Sequence, residues 1–99
     1  MLKYEVIGMA YSPDGGQYKY FESYKSFDKP AEALLFAHAI DSTWLKENGN
    51  LPEDVNNVEI FVDLFDEDGV AQGDKALYHE QISIYHRTNF GVQPEQAVV

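Results

Sequence analysis

The chain has no cysteine. That excludes disulfides, thiolate zinc sites and cysteine nucleophiles, and a small domain without cross-links suits a reducing compartment. Bases are scarce: seven stand against seventeen acids, for a net charge of −10. A potential of that sign repels phosphates and anionic lipid, so neither direct nucleic-acid binding nor membrane-surface binding is expected. Long hydrophobic runs are also missing. The longest, Ala33 to Ala37, is far short of the ~20 residues that span a bilayer. Met1-Leu2-Lys3-Tyr4-Glu5 lacks the basic stretch and apolar run of a signal peptide. A soluble, cytoplasmic protein is the expectation.

What is present suits one folded unit. The 99 residues are 44% hydrophobic and 14% aromatic, well above the composition of a disordered chain. A chain of this size buries about two thirds of its unfolded surface. The acids are unevenly placed. Residues 1–49 hold seven acids and five bases, a balance of −2; residues 50–99 hold ten acids with only Lys75 and Arg87, a balance of −8.

Leu2 to Tyr11 alternates as a strand, with Leu2, Tyr4, Val6 and Gly8 on one side and Lys3, Glu5, Ile7 and Met9 on the other. Ser12-Pro13-Asp14-Gly15-Gly16 reads as a turn, because proline presets a negative φ and glycines supply positive ones. Gln17 to Phe27 then returns as a second strand, with Tyr18, Tyr20 and Tyr24 on one face and Phe21 on the other. Asp28-Lys29-Pro30 opens a helix, with Asp28 as the cap and Pro30 in the first turn. One helix is expected over Ala31 to Glu47, its stripe formed by Ala33, Phe36, Ala37, Ile40 and Trp44, and closed by Asn48-Gly49. Val58, Ile60, Val62 and Leu64 alternate with Glu59, Phe61, Asp63 and Phe65 as a third strand. Asp66-Glu67-Asp68-Gly69 is a turn, and a last strand is expected over Ala76 to His86. The order predicts an α+β domain, β-β-α-β-β, with a four-stranded antiparallel sheet and one helix packed on one face. Residues 1–87 form this single domain, and the aperiodic tail, 88–99, is expected to be flexible.

The chemical motifs fail on inspection. His79-Glu80 begins like a zinc-protease helix, but Ser83 stands where the second histidine is needed. His86 is seven residues from His79, which on a strand puts the two on opposite faces. A calcium loop built around Gly69 would begin at Leu64 and end at Lys75, neither of which is a suitable ligand. No nucleophile turn or phosphate loop is present. No catalytic residue, metal site or cofactor is expected.

The leading expectation is a non-catalytic acidic protein that engages a basic surface of a protein partner, through Glu53, Asp54, Glu59, Asp63, Asp66, Glu67, Asp68, Asp74 and Glu80. The small size, strand order, lack of cysteine and concentrated acidity are similar to those of many short phage and mobile-element proteins. Some of those inhibit host defence as nucleic-acid mimics, which implies a nucleic-acid-binding protein as the partner. A second expectation is a homodimer formed through the sheet face left open by a single helix, using Tyr18, Tyr20 and Tyr24. A third is a small enzyme or ligand-binding domain with a pocket between helix and sheet, using His38, His79 or His86 beside an acid.

Overall fold

The computed structural model describes residues 2–12, 17–73 and 75–84. Four segments with alternating apolar residues become strands: β1 (Lys3–Tyr11), β2 (Tyr18–Phe27), β3 (Asn57–Phe65) and β4 (Tyr78–Ser83). They form one antiparallel sheet in the order β2-β1-β3-β4. Between β2 and β3 the chain crosses one face of the sheet as α1 (Pro30–His38) and α2 (Ser42–Asn48). The α+β layer anticipated from the sequence is present, with two helices in place of one. The expected turn at 13–16 and the tail from 88 onward lie outside the described residues, as do Tyr85 and His86 at the end of the expected last strand. Ala76 and Leu77 precede that strand rather than belonging to it.

The helix breaks because of its own sequence. Asp41 adopts an extended conformation and its carboxylate accepts the Trp44 backbone N–H at 2.8 Å, which caps a new helix inside the run. Asp28 does not cap α1. It pairs with Lys3, and the capping position falls to Lys29, whose side chain makes no cap bond, with Pro30 at the helix start as anticipated. Gly49 ends α2 in an extended conformation, φ −85°, rather than the left-handed one. The break changes little in the core: the stripe residues Ala33, Ala37 and Ile40 are buried, and Phe36 and Trp44 pack against them.

That core lies between the helices and one face of the sheet. Val6 and Ala10 from β1, Val58, Ile60 and Val62 from β3, and Ile84 beyond β4 meet Leu45 and Val55 there. Each valine, leucine or isoleucine among them contributes roughly 1.5–3 kcal/mol on leaving water. Tyr78 and Ile82 pack against the same cluster from β4.

Two register shifts reorganise the tyrosines of β2. Ala10 pairs with Tyr20 but Tyr11 pairs with Tyr18, so Lys19 is an extra residue; Val6 pairs with Lys25 but Ile7 with Ser23, so Tyr24 is another. An extra residue reverses the side chains beyond it. Tyr20 and Tyr24 consequently face the helices, where Tyr24 meets the Trp44 ring edge-on at 5.0 Å. Tyr18 falls on the opposite face, beside Tyr11. The expected set of three on one surface is divided.

Candidate functional site

The face of the sheet away from α1 and α2 carries the odd-numbered residues of β1 and β3. Along β1 these are Lys3, Glu5, Ile7, Met9 and Tyr11, opposite Phe65, Asp63, Phe61 and Glu59 of β3 for the first four. Ser23, Phe21 and Tyr18 of β2 flank Ile7, Met9 and Tyr11, and His79 and Gln81 of β4 flank Phe61 and Glu59. No described helix covers this face. Even so, Ile7 and Met9 are 3% and 8% exposed, because their cross-strand neighbours are large. Tyr11, Tyr18 and Phe21 remain about half exposed, at 48%, 55% and 55%. Their rings form a chain, Tyr11 to Tyr18 at 5.0 Å and Tyr18 to Phe21 at 6.1 Å between centroids. On the other side His79 stacks on Phe61 at 4.4 Å, nearly parallel.

Carboxylates rim this apolar centre. Glu5 and Asp63 are direct cross-strand partners, an arrangement of like charges that is unfavourable by itself. Glu5 accepts a hydrogen bond from the Ser23 hydroxyl at 2.8 Å. Burial pushes the Asp63 carboxyl above its ordinary range. Glu59 accepts from His79 Nε2 at 2.7 Å. The lysines at the two ends are neutralised, Lys3 by Asp28 and Lys19 by Asp54. A hydrogen bond to the Tyr18 hydroxyl holds the Tyr11 proton above the usual tyrosine range.

At the Tyr11 end the face opens into a cleft of about 330 Å³. Tyr11, Lys19, Asp54, Asn57, Glu59 and Gln81 are among its walls. The cleft and the aromatic face share Tyr11 and Glu59, so they form one continuous surface.

The acids expected to bind a partner do not share one surface. Glu59 and Asp63 point from the open face, and Asp54 lines the cleft. Glu53 is exposed in the loop before β3. Asp66 is turned inward on its own loop, accepting from the Asp68 and Val70 amides at 2.9 Å each and from Gln72 at 3.1 Å, while Glu67 and Asp68 are exposed at the tip. Glu80 pairs in register with Ile60, which places it on the helix side. Asp74 lies outside the described residues. The sequence places Glu5, Ile7, Met9 and Phe21 on strand faces but does not join them into a site. Alternation across neighbouring strands was the signal for that. No signal existed for Tyr11 beside Tyr18, which depends on the bulge at Lys19.

Among the described residues no group of three metal-ligating side chains comes together. His38 packs edge-on against Tyr78 at 4.8 Å, and His79 is on the open face rather than between helix and sheet; His86 lies outside the described residues. No described helix is long and apolar enough to cross a membrane. The chain matches no known protein family, no curated protein and no solved structure.

Proposed function

We propose that this protein is a non-catalytic binding module whose open sheet face engages a basic surface of a partner protein. One observation carries the reading: exposed Tyr11, Tyr18 and Phe21 share one sheet face with Glu59 in the neighbouring row and with Glu5 and Asp63 at the other end, while the lysines at the margins are already paired. Aromatic residues supply contact area, and carboxylates select cationic groups and steer their approach. Keeping Glu5 opposite Asp63 disfavours the free protein, and an incoming lysine or arginine would relieve it.

The sharper form is an inhibitor that occupies the phosphate-binding surface of a nucleic-acid-binding protein. The scatter of Glu53, Asp66, Glu67, Asp68 and Glu80 favours a compact acidic-aromatic patch over a long row of phosphate-like carboxylates. Self-association through the same face is the second reading, favoured by the exposed rings. Two-fold stacking would press one copy of this acidic face against another, which opposes it.

The test is affinity for a captured basic partner, measured from low to moderate salt, for the wild type, Glu5→Lys/Asp63→Lys and Tyr18→Ala/Phe21→Ala. Both double variants should bind at least about tenfold more weakly, roughly 1.4 kcal/mol, and wild-type affinity should fall with salt. Affinity that ignores ionic strength, or survives the charge reversal, refutes the reading. Sedimentation of the free protein at high concentration decides between partner binding and a homodimer.

A further inference from the structure

The cleft at the end of the open face has a composition that the aromatic patch lacks. Its walls combine an aromatic ring, Tyr11, with the Glu59 carboxylate and the side-chain amides of Asn57 and Gln81. Lys19 and Asp54, paired with each other, also line it. The three charged side chains of the lining, Lys19, Asp54 and Glu59, give it a formal balance of −1.

Two features fix how Glu59 is presented. It is the partner of Met9 on one side and of Gln81 on the other, so its backbone is held by the sheet on both flanks. Its Oε1 is bound to His79 Nε2, and His79 is itself fixed by stacking on Phe61. No described residue bonds Oε2. A carboxylate oriented in this way, beside a ring and amide carbonyls, matches a planar cation with several N–H donors. An ammonium group is a compact, strongly hydrated point charge that gains less from a flat wall.

We infer that this cleft receives the guanidinium of an arginine side chain from a basic protein segment, with Glu59 as its charge partner and the Tyr11 ring as its stacking surface. The inference rests on the proposed docking at the open face and adds a chemical preference within it. Arginine is selected over lysine in the cleft, whereas Glu5 and Asp63 serve either cation.

Hexa-arginine and hexa-lysine peptides are the probes. Their binding is measured by calorimetry at low and physiological salt, with backbone amide shifts recorded by NMR for the wild type, Glu59→Gln, Asp63→Asn and Glu47→Gln. Glutamine can still accept from His79, and Glu47 is exposed on α2, away from the face. The arginine peptide should bind about fivefold more tightly than the lysine peptide, a ratio worth roughly 1 kcal/mol. It alone should shift Tyr11, Asn57, Glu59 and Gln81. Glu59→Gln should abolish the ratio, Asp63→Asn should weaken both peptides alike, and Glu47→Gln should change neither. Equal binding of the two peptides, or a ratio that survives Glu59→Gln, overturns the arginine site while leaving docking at Phe21, Phe61 and Asp63 intact. If neither peptide shifts any residue of the face, the docking reading falls with it.

Discussion

Single residues on the two central strands carry constraints that only their neighbours reveal. Gly8 sits in the interior of a strand, where glycine is ordinarily about 0.5–1 kcal/mol worse than alanine. A Cβ there would meet the Tyr24 ring, 2.6 Å from Cζ and 2.8 Å from Cε2. Gly8→Ala should therefore destabilise, by about 1–3 kcal/mol. In a Tyr24→Ala background the added methyl enters vacated space, so the same change should be neutral or favourable. Denaturant midpoints of the four-member cycle measure this coupling, and additivity would contradict the steric account. Asp63 gives a second case with a sign opposite to the usual one. Because burial raises its pKa above 3.8, the folded chain holds this proton more tightly than the unfolded chain. Stability is then lost as pH rises above that value, and the loss persists at neutrality. Asp63→Asn should raise the unfolding midpoint at pH 7, by less than about 1 kcal/mol because the group is partly solvated. The gain should vanish toward pH 3. A variant less stable than wild type at pH 7 would show that Asp63 makes a favourable interaction that burial does not describe.

At the scale of elements, the joints between helix and strand matter more than the elements. Asp41 caps the start of α2, so Asp41→Ala should cost about 1 kcal/mol, read from thermal or chemical unfolding. Glu22 ties β2 to the loop after α2. It accepts the Tyr20 hydroxyl at 2.5 Å and both the backbone and side-chain N–H groups of Asn50 at 3.0 Å. Burial pushes its carboxyl up, and the bonds from Tyr20 and Asn50 outweigh burial and hold it below 4.5. The stabilisation is thus complete above that pH and disappears as pH falls through the depressed folded-state value. Glu22→Ala should remove about 1 kcal/mol at pH 7, because the carboxylate is largely solvated, and flatten the stability profile at acid pH. An unchanged profile would mean the clamp contributes nothing. These joints also mark what the sequence made legible. Alternation identified the buried face of β3 and sorted the residues of β1 onto two faces, since a period of two survives any pairing partner. That both faces of β1 are buried, at Val6 and Ala10 and at Ile7 and Met9, depends on its central place in the sheet. Helical spacing found Ala33, Ala37 and Ile40 although the helix is interrupted. The interruption itself was written in Asp41-Ser42-Thr43, three residues that favour capping, but their signal was submerged in good helix formers on both sides. Bulges at Lys19 and Tyr24 depend on how two strands settle over one core, so the division of the tyrosines was not legible.

For the whole molecule, charge acts on folding and on binding in opposite directions. Ten negative charges in excess repel one another in the compact state. The ion pairs Lys3–Asp28 and Lys19–Asp54 are exposed, so they offset little of this repulsion. Salt at pH 7 should consequently stabilise the free protein. An increase from about 10 mM to about 150 mM shortens the Debye length from roughly 30 to 8 Å. A stabilisation of order 1 kcal/mol is then about 4–8 °C in the melting midpoint for a domain of this size. Over the same range a basic partner held at Glu5, Glu59 and Asp63 should bind more weakly, because the attraction that joins the two is screened equally. Melting curves and binding isotherms in matched buffers therefore should slope in opposite directions. A melting midpoint that falls with salt would mean that local ion pairs outweigh the net repulsion. Binding and stability that both strengthen with salt would place apolar burial at the rings, rather than the carboxylate rim, as the source of affinity.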